Sequence, residues 1–188
     1  MSTPDEPLRP GMVLSVARSR SHSFGKDAQL SIQLTKDHGI EGDIHAGPTI
    51  RHRYLARQRP DMPNNRQVHL LQSELFQALR SEGFEVGAGD MGENITTRGI
   101  DLLSLPLACL LHIGPCAVIE LTGVRTPCGA IDKYKKGLKR TMIVRTPRGV
   151  GFRAGVFGVV RTSGEVSRGD VIHVELPHGV LSPLPALA

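Results

Sequence analysis

The chain contains no tryptophan, and its aromatic rings beyond histidine come from five phenylalanines and two tyrosines. A core therefore has to be assembled from Val, Ile, Leu and Ala. No apolar stretch approaches the roughly 20 residues that a helix needs to cross a bilayer. The opening MSTPDEPLRP is polar and proline-rich where a secretory leader would be basic and then apolar. Three cysteines are too few for a disulfide framework at this length. These absences point to a cytoplasmic protein without membrane association.

What is present suits one domain of short strands. A chain of 188 residues with 39% hydrophobic content is long enough to bury a single core. Its 21 glycines and 13 prolines imply many turns and few long helices. The net charge of +5 attracts anions, and nucleic acid, anionic lipid and phosphorylated cofactors all qualify. A solvated basic surface with no dedicated partner is the plain alternative, and charge alone does not decide.

Residues 1–10 and 177–188 are proline-rich and unpatterned, and read as loosely packed tails flanking a domain over residues 11–176. Within it, Leu30 to Thr35 alternates apolar and polar, the mark of a half-buried strand. Met12–Ala17, Val68–Leu71, Leu107–His112, Cys116–Thr122, Val156–Arg161 and Val171–Leu176 add short apolar runs. Turn signals punctuate them at Ile113-Gly114-Pro115, Ser163-Gly164 and Arg168-Gly169-Asp170. One helix is expected after Ser73, as N-cap, with Leu75, Phe76 and Leu79 at helical spacing before Gly83. A weaker helical pattern covers Ala130 to Gly137. The fold class is mainly β, a small partly closed barrel with a few short helices.

Among the cysteines, Cys109 and Cys116 sit in apolar strand patterns and read as small buried hydrophobes. Cys128 differs. In Gly123-Val124-Arg125-Thr126-Pro127-Cys128-Gly129, proline favours extended backbone before it and glycine allows a sharp turn after it. The thiol is then presented from a turn, with Arg125 near in sequence. Positive potential favours thiolate, the nucleophile and soft-metal ligand. A turn cysteine without a role is the equal alternative.

Three further stretches carry polar groups. In Gly89-Asp90-Met91-Gly92-Glu93-Asn94-Ile95-Thr96, backbone N–H groups can form an anion-binding nest, and Glu93, Asn94 and Thr96 offer hydrogen bonds to a polar heterocycle. Taken alone, an ordinary turn explains that segment better. In Gly39 to Gly47, Asp43 and His45 can form a carboxylate–imidazole pair, bracketed by Lys36, Arg51 and Arg53. His38, His45 and His52 recur every seven residues, which is not zinc-ligand spacing. Finally, Lys133 to Arg153 carries eight basic residues and no acidic one, suited to an anion pocket or nucleic acid, though most such runs are solvated faces.

Taken in order, GIEGDIHAG, QVHL, GDMGENITTRGIDL, LHIGPCAVIELTGVRTPC and GVFGVVRTSGEVSRGDVI resemble the MOSC family, named for the C-terminal domain of molybdenum-cofactor sulfurases. The resemblance spans about residues 11–176 and is closest to short, stand-alone bacterial members. It implies a β-barrel whose cysteine, matched by Cys128, binds molybdenum or carries sulfur. It also implies cofactor contacts at Glu93, Asn94, Thr96 and His45, while Lys36, Arg51 or Arg125 supply charge for the phosphate of molybdopterin. The leading expectation is an oxidoreductase that reduces N-hydroxylated small molecules. Without a flavin or nicotinamide fingerprint, its electrons come from a separate reductase. The alternatives are a sulfur or cofactor carrier using a Cys128 persulfide, and, ranked last, a basic nucleic-acid-binding module.

Overall fold

The computed structural model describes residues 9–146 and 149–187, so the first eight residues of the N-terminal tail lie outside the described residues. Seven strands make the barrel: β1 (Gly11–Arg18), β5 (Val68–Gln72), β6 (Ile95–Arg98), β7 (Leu110–Ile113), β8 (Ala117–Arg125), β11 (Val156–Thr162) and β13 (Val171–Glu175). They follow the order β11-β5-β6-β1-β13-β7-β8, and β11 also pairs β8, so the ring closes completely. Closure leaves no free edge along that path. The β5–β6 pair is parallel and is bridged by helix α2 (Glu74–Ser81), while the other ring pairs are antiparallel.

Alternation explains most of the wall. In β8, Ala117, Ile119 and Leu121 point inward and are fully buried, with half-exposed residues between them. In β1 the inward phase shifts from Val13 to Val16 because the pairing with β6 carries a bulge between Val13 and Ser15. Strand β5 is buried along nearly its whole length because both its faces are covered. Val68 and Leu70 join the barrel core, whereas Leu71 joins a second apolar cluster on the outside. That outer cluster unites Leu75 and Leu79 of α2 with Ile131 of α3 (Gly129–Tyr134) and Leu138 of α4 (Leu138–Thr141).

The remaining strands decorate the ring. β2 (Asp27–Gln29) pairs β1, β3 (Ser31–Thr35) pairs both β4 (Gly39–Ile40) and β12 (Gly164–Ser167), and β9 (Ile143–Thr146) pairs β10 (Gly149–Phe152). A short helix α1 (Arg53–Gln58) buries no residue, and β14 (Ala186–Leu187) runs parallel to β8.

Several expectations change. The Pro-rich C-terminus does not lie loose: Val124 N donates to Pro185 O and Thr126 Oγ1 to Leu187 O. Gly123 makes this approach possible, since a β-carbon there would fall 2.6 Å from Leu187 Cγ. Cys116 is not a buried strand residue; it is exposed in the turn before β8. Ser73 precedes α2 in helical conformation and makes no side-chain cap. The helix expected over Ala130 to Gly137 ends at Tyr134, where Lys135 turns extended (φ −141°, ψ 118°), and α4 starts only after Gly137, which takes a left-handed φ of 89°.

Candidate functional site

On the outer face of the β5–β11–β8 wall lies a cavity of about 480 Å³. Strand alternation aims His69 of β5 and Phe157 of β11 into it, directly opposite each other, with ring centroids 5.3 Å apart. Cys128 lines the same space. It stands just before α3 in extended conformation (φ −97°, ψ 171°), and its side chain is exposed, as Pro127 and Gly129 suggest. Its neighbour Arg125, at the end of β8, is anchored by a hydrogen bond from Nη1 to Met91 O and lies against the Cys128 sulfur. Burial works against the guanidinium charge, and Cys128 and Glu93 support it.

No Asp or Glu is found among the described residues that line the cavity, whereas Lys26, Arg51, Arg53, Arg66, Arg125 and Lys133 all do. Four histidines join them: His22, His45, His52 and His69. Burial, then neighbouring positive charge, holds His22 and His52 below the ordinary imidazole value. His69 is pushed well below it by burial and then by Arg125, so the ring is neutral, with Nε2 2.8 Å from Ala154 O.

Beneath the cavity sits Asp43, whose side chain is wholly shielded from solvent. Oδ2 accepts from Lys26 Nζ (2.6 Å), Asn94 Nδ2 (3.0 Å) and Ser19 N (3.2 Å), and Oδ1 from His45 N (3.0 Å). His45 Nδ1 lies 3.3 Å from Oδ1. Burial pushes the carboxyl up, but the His45 and Lys26 contacts outweigh it and hold Asp43 well below the usual carboxylate range. Lys26 is lowered by its own burial, with Asp43 opposing.

The residues marked in the sequence separate into three groups. His45, Arg51, Asn94, Arg125 and Cys128 line the cavity. Asn94, however, is spent internally: its Nδ2 donates to Ala17 O and Asp43, and its Oδ1 accepts from His69 N. Glu93 and Thr96 are buried and lie outside the cavity lining. The nest expected in that turn is filled by the chain itself, because Glu93 accepts from Gly89 N (2.7 Å), Met91 N (3.2 Å) and Thr96 Oγ1 (3.0 Å). Gly92 lets this turn press onto the backbone of Phe24; its φ of 78° leaves a β-carbon only 2.5 Å from Phe24 O. Lys36 is elsewhere, exposed in the β3–β4 turn with its backbone N bonded to Ser163 Oγ.

Sequence reasoning missed Lys26, His69, Phe157 and Arg66. Lys26 stands in an unpatterned polar segment, and His69 and Phe157 reveal themselves only through the β5–β11 pairing. Arg66 stacks over Phe157 at 5.5 Å. Of the basic run from Lys133 to Arg153, Arg148 lies outside the described residues; among the described ones only Lys133 lines the cavity, and Arg153 is paired with Glu82.

This fold is similar to that of the YuaD protein from Bacillus subtilis, with a TM-score of 0.73 and 22% identity over 90% of this chain and 98% of that one. It is also similar to YiiM from Geobacillus stearothermophilus (TM-score 0.65, 16% identity, 92% of this chain and 79% of that one). YiiM from Escherichia coli gives a TM-score of 0.61 at 18% identity, over 91% of this chain and 73% of that one. No curated protein matches the chain. The MOSC domain family matches residues 41–173, more than half of the sequence, and the chain belongs to that family. The family is associated with the molybdenum cofactor and includes molybdenum-dependent reductases. Among the described residues, no helix is long and apolar enough to cross a membrane.

Proposed function

We propose that this protein is a molybdenum-cofactor-dependent reductase of N-hydroxylated compounds, with Cys128 as the one protein thiolate on the metal. The observation that carries the reading is the setting of Cys128: an exposed sulfur beside an anchored guanidinium, on a cavity whose described lining is cationic and free of carboxylates. That donor set fits a cofactor that is anionic and already rich in sulfur. A soft thiolate suits the metal, and Arg51, Arg53 and Lys133 suit a terminal phosphate. When bound, the cofactor supplies two-electron oxygen-atom chemistry, and the protein orients it and shields it. Electrons come from a separate reductase.

The test is reduction of benzamidoxime by protein from a cofactor-proficient host, with a reduced viologen dye as donor. Turnover in the wild type that disappears in Cys128→Ala supports the reading. A second reading draws on the exposure of Cys128, which leaves it accessible to a partner protein: the residue bears a persulfide and hands sulfur or cofactor onward. Wild-type protein without turnover, but with added sulfur on intact-mass analysis that vanishes in Cys128→Ser, favours that version.

A further inference from the structure

Reduction of an N-hydroxyl group consumes protons as well as electrons: R–NH–OH + 2 e⁻ + 2 H⁺ gives R–NH₂ + H₂O. The N–O bond breaks, nitrogen gains a hydrogen, and the oxygen leaves as water. A reductase therefore needs an acid in the cavity, and the structure narrows the choice. The Lys26 ammonium is committed to Asp43. Ring nitrogen Nε2 of His69 is committed to Ala154 O in a buried, neutral ring. Arginines hold their protons too firmly to act, and Lys133 is assigned above to the terminal phosphate of the cofactor. His22 and His52 line the cavity, and among the described residues no carboxylate is bonded to either.

His45 is built differently. Its Nδ1 faces Asp43 Oδ1, while its side chain is 37% exposed along the cavity that Cys128 lines. Among the described residues no protein group bonds its Nε2. The carboxylate that faces Nδ1 is immobilised independently of the ring, by Lys26, Asn94 and the Ser19 backbone. Asn64 Nδ2 fixes the His45 backbone by donating to its carbonyl at 2.8 Å. The other groups that face the ring are His22, edge-on with centroids 5.8 Å apart, and His52 at the start of α1.

We propose that His45 delivers a proton from Nε2 to the oxygen leaving the substrate, and that Asp43 is the positioning residue that fixes the ring for this step. The inference rests on the reductase reading above. The two electrons come from the separate reductase, the second proton comes from solvent, and the half-exposed ring recovers its own proton from solvent. After delivery the ring is the neutral tautomer with hydrogen on Nδ1, held by Asp43.

The test uses the cofactor-loaded wild type and His45→Gln, with benzamidoxime and reduced viologen over about pH 5 to 9. Loss of a positioned acid predicts a fall in kcat of about 100-fold or more. KM and molybdenum content stay unchanged, and added imidazole restores part of the rate. A readout that needs no cofactor accompanies it. In the unloaded protein, imidazole ¹⁵N NMR, assigned against His45→Gln, finds the neutral His45 ring protonated on Nδ1, and Asp43→Asn at low temperature removes that preference. Turnover in His45→Gln that matches the wild type at every pH overturns this inference alone, and so does a wild-type ring protonated on Nε2. No turnover in loaded wild type overturns the reductase reading, and this inference falls with it.

Discussion

Replacing Asp43 by asparagine removes the charge that holds Lys26 inside the protein. Both side chains are shielded, at 5% and 0% exposure, and their contact is 2.6 Å. Breaking a buried pair by neutralising one partner costs about 3–5 kcal/mol. An independent ceiling exists, because Lys26 can shed its proton. Against an ordinary lysine value near 10.4, doing so at pH 7 costs about 5 kcal/mol. The two figures agree, and at about 2–4 °C per kcal/mol for a chain of this size they imply a drop in Tm of roughly 10 °C. The ceiling also carries a pH signature. In the variant the folded value of Lys26 is depressed further, so the loss is complete at low pH and shrinks as pH rises toward the unfolded value. At pH 9 only about 2 kcal/mol remains. Thermal melts followed by circular dichroism at pH 7 and pH 9 measure both effects. A loss below about 2 °C, or one equal at the two pH values, refutes the argument.

The acid limb of stability tests His69. The unfolded chain binds a proton there near pH 6.5 while the buried ring does not, so its contribution is intact above about pH 6.5 and is lost as pH falls below it. His69→Gln should therefore lose less stability than the wild type between about pH 7 and pH 5.5 by urea titration. Gly123→Ala should cost about 1–3 kcal/mol by overpacking against the C-terminal strand. Deleting residues 183–187 in the same variant should remove most of that increment, read as non-additivity in chemical melts. Arg51→Ala should weaken cofactor retention through gel filtration, whereas Lys36→Ala, on the distant β3–β4 turn, should leave it unchanged.

Local pattern revealed the strands because each wall strand has one inward face. The apolar run at Cys116 to Thr122 is a direct record of it, and the alternation of Leu30 to Thr35 records the one buried face of β3 beside the ring. Closure was not legible, since β11 meets β5 and β8 across long sequence separations that no local period encodes. β12 was hidden between two turn signals and is held by pairing with β3. At the site, Cys128 stood out because proline and glycine shape its turn, and Asp43 and His45 because they lie two residues apart. Glu93 and Thr96 entered as cofactor contacts through the resemblance of their motif, where local pattern alone favoured an ordinary turn. In fact the carboxylate satisfies the N–H groups of its own turn, and burial then raises its proton affinity. Lys36 was drawn in by charge and by its place beside the Gly39 to Gly47 loop, and neither carries an address.

The account turns on Cys128 as the sulfur that holds the metal, and molybdenum per chain measures this most directly. Wild-type protein and Cys128→Ala, both from a cofactor-proficient host, are compared by metal analysis with a parallel assay for the pterin. Near-stoichiometric molybdenum in the wild type and its loss from a folded Cys128→Ala is the expected result. Equal molybdenum in the two proteins, or none in either, contradicts the central claim.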